Sequence, residues 1–232
     1  NLRALRMAIE DLTTTFGARY AAGPNYLDRL TKIEQALEEG RDMETLTQKA
    51  IALQREALLA NPLLDFDRIL LVRRDVKGPS LGLPQNWQGN CALPRSGYDD
   101  EVAVMPVAVD GSLQTVFRPK TPCFVGDVDL HFDAEKMLFS MIGSHNRWQI
   151  WEVGLDGASL RQVTPGVEND IDNYDACYLP DERIIFASTR CFQGIPCVGG
   201  ADAVANLCIM NPDGTGIRQL CFDQDHNWCP TV

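Results

Sequence analysis

Three pairs of aspartates recur along the chain, and they are the residues best suited to binding a cation. They are Asp127 and Asp129, Asp170 and Asp172, and Asp223 and Asp225. Carboxylates that converge favour a hard cation such as Ca²⁺, which takes roughly six to eight oxygen ligands. Aspartates that cap loops by accepting backbone N–H bonds give the same pattern without a metal. No complete EF-hand loop is present, so capping is the simpler interpretation and calcium the alternative.

Two of the three histidines lie beside these pairs. His131 follows the first pair, His226 follows the last, and His145 lies in a polar stretch. A histidine next to a carboxylate can act as an acid, a base or a ligand. Without a Ser, Cys or Glu at a diagnostic spacing, we expect structural hydrogen bonds instead. If catalysis occurs, Asp225 and His226 are the residues to examine first.

A long connection from residue 77 to residue 100 contains a second candidate site. Connections of this length are often functional. Gln85, Asn86, Trp87 and Gln88 combine an aromatic surface with amide donors and acceptors, which suits a glycan or peptide ligand. The alternative is that Trp87 anchors the connection to the rest of the fold.

The cysteines indicate one disulfide and no haem attachment within this sequence. Cys191 and Cys197 bracket a short loop with Gly and Pro, and we predict a disulfide between them. The other six cysteines lie mostly among apolar residues, where a thiol behaves as a small hydrophobic group. No CxxC motif occurs, hence no CxxCH. Calcium is therefore the one cofactor that the residues suggest.

The segment that precedes these sites has helical periodicity. Gly17, Pro24 and Gly40 interrupt it, Asp42 can cap a third helix, and Pro62 follows the last one. Residues 1–61 are therefore predicted to form a small helical bundle. The apolar positions of the three stripes are Leu2, Leu5, Ile9, Leu12 and Phe16; Tyr26, Leu30, Ile33 and Leu37; and Leu46, Ala50, Leu53 and Ala57.

From residue 62 onward the apolar period changes to about two, and the chain repeats itself. KMLFS at 136–140 aligns with RIIFA at 183–187, and Asp-Gly pairs at 110, 156 and 213 suit tight turns between antiparallel strands. Repeated four-stranded units are typical of a β-propeller. We predict a mainly β chain with a partial propeller: three four-stranded blades at about 62–120, 124–165 and 172–222, and the start of a fourth at about 226. Because propellers usually close with roughly four to eight blades, we expect a longer parent protein.

Charge excludes one class of partner. The formal net charge is −11 and the isoelectric point is about 4.7, which disfavours binding to nucleic acid. No stretch approaches the roughly 20 apolar residues that span a bilayer. We expect the partners to be other domains of the same polypeptide or other proteins.

Four motifs resemble a known family. They are GLPQNWQGN at 82–90, GDVDLHFD at 126–133, DNYDACYLP at 172–180 and RQLCFDQDHNWCP at 218–230. They are similar to the propeller region of hydrazine synthase alpha subunit-like proteins, and the repeats resemble TolB-type propellers. The likeness extends from about residue 1 to the end of the sequence.

The resemblance implies an exported multidomain protein, periplasmic or otherwise extracytoplasmic. In the enzyme that gives the family its name, c-type haems are held by domains that flank the propeller, and none of the haem-attaching pattern has a counterpart here. We therefore expect a non-catalytic scaffold or interaction module. One alternative is a part of a haem redox enzyme whose flanking domains contain CxxCH. The other alternative is a module that binds a glycan or peptide through the 77–100 connection.

Overall fold

The computed structural model describes residues 1–40, 42–81, 89–107, 112–200 and 202–232. The chain forms two compact units, one of Asn1–Ile69 with Met105–Ser112 and the other of Leu70–Val104 with Leu113–Val232. The boundary predicted at residue 61/62 follows the last helix, whereas the first compact unit continues to Ile69. The predicted class, mainly β with three N-terminal helices, is confirmed.

The helical unit contains α1 (Leu2–Phe16), α2 (Gly23–Glu38) and α3 (Met43–Leu59), with a 3-10 turn at Gly17–Tyr20. The Asn1 side chain caps α1 by accepting from Ala4 N, and Asp42 caps α3 by accepting from Glu44 N at 3.1 Å. Gly40 has φ 70°, the left-handed conformation that commonly ends a helix. The predicted caps and breaks therefore act where the sequence places them.

The apolar stripes of the three helices form one core. Ile9, Leu30 and Leu53 are almost completely buried in it, and each such side chain stabilises the fold by about 1.5–3 kcal/mol. The buried Tyr20 hydroxyl donates to Ala57 O at 2.7 Å, so its polar end is satisfied inside the core.

Three antiparallel sheets follow, each with its strands in chain order. Sheet 1 contains β1 (Arg68–Arg73), β2 (Glu101–Pro106) and β3 (Gln114–Phe117). Sheet 2 contains β4 (Gly126–Leu130), β5 (Lys136–Ile142), β6 (Trp148–Gly154) and β7 (Arg161–Gln162). Sheet 3 contains β8 (Asn173–Tyr178), β9 (Ile184–Ser188), β10 (Asn206–Met210) and β11 (Arg218–Gln219).

The sheets pack side by side through two apolar layers. Met137, Phe139 and Val153 of sheet 2 meet Val102 and Phe117 of sheet 1. On its other face sheet 2 meets sheet 3 through a second buried cluster: Leu138, Ile150, Val163, Ala176, Tyr178, Ile184, Phe186, Cys208 and Met210. Sheet 2 is thus covered on both faces, as an internal blade must be.

The two Asp-Gly turns repeat one contact between neighbouring sheets. Gly157 has φ 78°, and a Cβ there would lie 2.9 Å from Val116 O of sheet 1. Gly214 has φ 84°, and a Cβ there would lie 2.1 Å from Val163 O, just after the last strand of sheet 2. Both positions therefore need glycine for its conformation and for the close approach. The same turn therefore rests on the preceding sheet twice.

Two predicted strand assignments are corrected. Sheet 1 has three strands within the described residues, not four, because the segment before β1 turns at Asn61, where Leu64 N donates to Asn61 O at 2.9 Å. Residues 226–232 form no strand, since no neighbouring sheet pairs with them among the described residues. The Asp-Gly pair at 110 and 111 lies outside those residues. None of the described helices has the length and apolarity to span a membrane.

Candidate functional site

The first strands of sheets 2 and 3 contain the same irregularity. Asp127 in β4 has φ 51° and Asp175 in β8 has φ 55°, and the strand pairing shifts register at both places. Aspartate tolerates this left-handed conformation better than most residues. Such bulges redirect side chains, and here they place both aspartates in one hydrogen-bonded network.

A buried serine connects the Asp127 carboxylate to the backbone of Asp175. The Ser140 hydroxyl is fully buried, hydrogen bonds to the Asp127 carboxylate and accepts from Asp175 N at 2.8 Å. The Asn90 side-chain amide donates to Asp127, and the Cys229 backbone N–H donates to Asp175. We call these five residues the bulge network. It joins sheet 2, sheet 3, the 77–100 connection and the C-terminal segment.

Burial changes the acidity of this network. Burial, followed by the nearby Asp175 charge, raises the pKa of Asp127 to about 6, although Ser140 and Asn90 stabilise the ionised form. Burial also raises the pKa of Asp175, and it raises the pKa of the Cys229 thiol to about 11. Asp127 is therefore a carboxyl group that can change protonation near neutral pH. Perturbed groups of this kind occur at functional sites and also in structural networks.

The 77–100 connection closes the end of the sheets at which this network lies. Leu93 and Tyr98 pack into an apolar cluster with Phe124, Trp148 and Tyr174. The rings of Tyr98 and Trp148 both meet Phe124 edge-on, at centroid distances of 5.2 and 4.9 Å. The described part of the connection is thus a packed cover. Gln85, Asn86, Trp87 and Gln88 lie outside the described residues, and ligand binding there stays a prediction.

Asp172 is a structural anchor of that cover. Its carboxylate is 5% exposed and accepts two hydrogen bonds from the Arg95 guanidinium, at 2.9 and 3.1 Å. It also accepts from Trp148 N at 2.9 Å and from Arg147 at 3.4 Å. Its lone pairs are therefore occupied by protein donors, three of them guanidinium N–H groups and one the backbone N–H of Trp148.

The other predicted metal ligands are dispersed. Asp129 accepts from Tyr178 N at 2.9 Å, and burial raises its pKa. Asp170 is exposed. The Asp225 carboxylate accepts from His226 N at 2.8 Å, and the backbone carbonyl oxygen of Asp223 accepts from the Asn206 side-chain amide at 3.3 Å. Across the ranges that the structure describes, no three His, Cys, Asp or Glu side chains are grouped as metal ligands. The calcium site stays a prediction.

The weak catalytic candidate His226 serves as a hydrogen-bond acceptor. Its Nδ1 accepts from Ala205 N at 3.0 Å, and its ring lies 4.9 Å from that of Trp228. Burial lowers the pKa of this imidazole, and the Asp225 charge opposes that effect. The neutral ring therefore supports the turn that follows sheet 3, as a structural histidine would.

His131 forms a second polar network, between the hairpins of sheets 2 and 3. It is 6% exposed; its Nδ1 lies 2.7 Å from Asp133 and its Nε2 3.1 Å from Glu182. Its ring contacts Tyr178 edge-on at 4.7 Å, and the Tyr178 hydroxyl donates to Glu152 at 2.9 Å. These contacts hold neighbouring sheets together. His145, in contrast, is exposed in a short turn.

The predicted disulfide is not formed. Cys191 and Cys197 are both free thiols. Cys191 lies in one 3-10 turn and its thiol contacts Val204 O at 3.1 Å, whereas Cys197 is exposed in the next turn. The two thiols thus lie in separate turns, and their pairing stays a prediction.

Asn90, Ser140, Asp175 and Cys229 are the members of the bulge network that sequence reasoning missed. Asp175 lies in DNYDACYLP at the place that Asp127 takes in GDVDLHFD, so aligning first strands directly would have found it. Ser140 and Asn90 have no comparable signal, because only the packing of sheet 2 and the 77–100 connection brings them near.

No protein-family model and no curated protein matches this sequence. Similar solved structures include a putative TolB from Agrobacterium tumefaciens, at 16% identity and TM-score 0.43, covering 57% of this chain and 41% of that one. TolB from Acinetobacter baumannii matches at 18% identity and TM-score 0.41, covering 56% of this chain and 28% of that one. Hydrazine synthase from Kuenenia stuttgartiensis matches at 14% identity and TM-score 0.33, covering 66% of this chain and 31% of that one.

This chain spans less than half the length of each of these three proteins. Both groups that the sequence motifs resemble are among the similar structures, and at these identities the likeness concerns the fold alone.

Proposed function

We propose that this chain is the propeller scaffold of a larger exported protein and that its sheets hold other domains without catalysing a reaction themselves. The observation that supports this best is the outer face of sheet 3. Sheet 2 has a neighbouring sheet on both faces, whereas within the described chain sheet 3 has a neighbouring sheet on one face only.

The outer face of sheet 3 is apolar and incompletely covered. The register pairs Ile209 with Ile185 and Leu207 with Ala187, and Leu220 N donates to Leu207 O at 2.8 Å. Ile185 and Leu207 are partly exposed and Leu220 is 40% exposed. A blade needs a neighbour on each side to bury both faces of its sheet. We therefore infer that a further blade of the same polypeptide covers this face.

The C-terminal segment supports the same inference. Cys229 has φ 51°, the conformation of Asp127 and Asp175 at the bulges of the two preceding first strands. Its N–H bonds to Asp175, and Asn227 N donates to Ala205 O at 2.9 Å. The segment thus bonds to Asp175 of β8 and to the residue before β10, and it repeats the left-handed φ of the two bulges, although it is not itself a strand.

The polar groups support a scaffold more than an enzyme. Asp127, Asp172 and Glu152 all have protein donors on their carboxylates. The raised pKa of Asp127 accompanies a network that joins structural elements. The exported location in this proposal is based on the motif resemblance.

The alternative, a haem enzyme, requires a CxxCH motif in the flanking sequence of the natural protein. Sequencing those flanks would test it.

Hydrogen–deuterium exchange on the full-length natural protein and on this chain tests the scaffold. If another blade covers sheet 3, the amides of β10 and β11 exchange more slowly in the full-length protein. The amides of β5, in the doubly covered sheet 2, are the internal control and should be unchanged. Equal exchange of β10 and β11 in the two proteins, or a natural protein without further repeats, would overturn the proposal.

A further inference from the structure

Sheet 3 covers three apolar side chains of sheet 2 that are at most 3% exposed: Leu138, Ile150 and Val163. Two of them have counterparts on the outer face of sheet 3 that the backbone bonds identify. Val163 N donates to Ile150 O at 2.8 Å, and Leu220 N donates to Leu207 O at the same distance. Leu207 and Leu220 therefore take the places of Ile150 and Val163.

The third counterpart follows from the sequence repeat. KMLFS at 136–140 aligns with RIIFA at 183–187, so Ile185 takes the place of Leu138. Ile185 and Leu207 are partly exposed, and Leu220 is 40% exposed. The outer face of sheet 3 thus repeats, position by position, a face that is covered by a sheet in sheet 2. Within the described residues no sheet covers it.

The contact between a turn and the preceding sheet also has a counterpart on this face. In both Asp-Gly turns the glycine N–H donates at 2.9 Å to the carbonyl oxygen three residues earlier. The Gly157 turn lies against Val116 O, and the Gly214 turn lies against Val163 O. Since Leu220 takes the place of Val163, its carbonyl oxygen is where the turn of a following sheet would lie.

An arginine completes the contact between sheets 2 and 3. Arg161, at the start of β7, donates to Pro212 O at 2.9 Å, two residues before Gly214. Arg218 starts β11 at the corresponding position and is exposed. In the part of the chain that the structure describes, the Arg218 guanidinium bonds to no acceptor. The bond that Arg161 makes to the next turn is therefore open at Arg218.

We propose that the outer face of sheet 3 binds a further blade whose last turn contains a left-handed glycine, and that this turn lies against Leu220 O. The proposal rests on the scaffold function and names the partner of its open face. The two existing contacts of this kind leave no room for a Cβ at the glycine. The occupant is therefore a blade of the same repeat and not an unrelated surface.

Photo-crosslinking in the full-length natural protein identifies the occupant. A leucine analogue that carries a diazirine replaces Leu220 and keeps its size and apolarity. After illumination and proteolysis, mass spectrometry should find position 220 joined to a glycine-containing turn of a further repeat. The same analogue at Val116 is the positive control, because Val116 O lies against the Gly157 turn, and it should be joined to residues 154–158.

Leu220→Glu tests the burial of this position by hydrogen–deuterium exchange. In the full-length protein the variant should speed the exchange of the β10 and β11 amides about tenfold or more, because an unpaired carboxylate is costly to bury. In this chain alone, where Leu220 is 40% exposed, the change should be less than about twofold. Leu160→Glu is the matched control, since Leu160 is 45% exposed in the turn before β7, and it should leave β10 and β11 unchanged.

The outcomes distinguish this proposal from the scaffold function. If β10 and β11 exchange slowly in the full-length protein but position 220 is joined to a segment outside the repeats, the scaffold stands and the glycine-turn contact is wrong. The same holds if the Val116 control reacts and position 220 does not. A crosslink between two chains would identify a second copy and reject the further blade at this face. An unchanged exchange in Leu220→Glu would also overturn the proposal.

Discussion

Replacing Asp127 by Asn should stabilise the sheet unit at neutral pH and reduce its pH dependence between about pH 4 and pH 6. The native Asp127 has its pKa raised from 3.8 to about 6, mainly by burial. Its protonated form therefore favours the folded state. The stabilisation from this group is complete below the unfolded pKa and is lost as the pH rises through the folded pKa.

The magnitude follows from the pKa difference. About two pKa units at about 1.4 kcal/mol each correspond to about 3 kcal/mol at pH 7. Asp127 retains some solvent exposure, which lowers the expected gain for Asp127→Asn to about 1–3 kcal/mol. Asparagine is neutral, can still accept from the Asn90 amide and tolerates the left-handed backbone of this position.

Urea unfolding at several pH values between 4 and 8, followed by tryptophan fluorescence, measures the effect. Residues 1–69 and 105–112 contain no tryptophan, and Trp148, Trp151 and Trp228 lie in the sheet unit, so the signal reports that unit. Asp213→Asn is the control with the opposite sign, because hydrogen bonds from Thr215 lower the pKa of that exposed carboxylate. A folded Asp127→Asn variant less stable than the natural chain at pH 7 would refute the reasoning and point to a required charge, such as a cation ligand.

Four further outcomes are expected. Arg95→Met removes the main partner of the buried Asp172 carboxylate and should lower the free energy of unfolding in urea by about 2–3 kcal/mol. Arg95→Lys should lose less stability than Arg95→Met. No loss in either variant would mean that Asp172 is not an anchor. Gly214→Ala should lower the free energy of unfolding by about 2–4 kcal/mol because the new Cβ meets Val163 O. Gly199 has a similar φ of 64° but faces open space, so Gly199→Ala should lower it by about 1 kcal/mol. Equal losses in the two variants would contradict the contact between the Gly214 turn and sheet 2. A calcium chelator should leave the melting temperature unchanged if the aspartates are caps, and a clear decrease would favour the calcium site. Thiol titration of the unfolded, unreduced chain should find all eight cysteines, and a count lower by two would restore the predicted disulfide.

The helices and most strands could be predicted because their signals are local. Leu5, Ile9 and Leu12 lie on one face at helical spacing, and the structure buries all three. Asp156-Gly157 and Asp213-Gly214 act as tight turns for the reason that the sequence indicates, a left-handed glycine. Missing neighbours explain the errors: the segments before β1 and after residue 226 have the pattern of strands but nothing to pair with among the described residues.

The candidate site was harder to predict because side-chain direction in a sheet depends on register. The aspartates two residues apart within one strand do not act together, since the bulge at Asp127 separates its carboxylate from that of Asp129. The Asp127 carboxylate instead bonds to Ser140, on the neighbouring strand β5, and to Asn90, in the 77–100 connection. One residue of register shift redirects a side chain, and composition does not report such a shift.

The sequence by itself determined the helical unit, the repeated antiparallel strands, the turn glycines and the acidic character of this protein, because periodicity, turn chemistry and charge act over a few neighbouring residues. Only the tertiary structure decided which partners each buried carboxylate meets and which apolar faces remain open. Those outcomes depend on how sheets 2 and 3 and the 77–100 connection pack, and packing is a property of residues far apart in the chain.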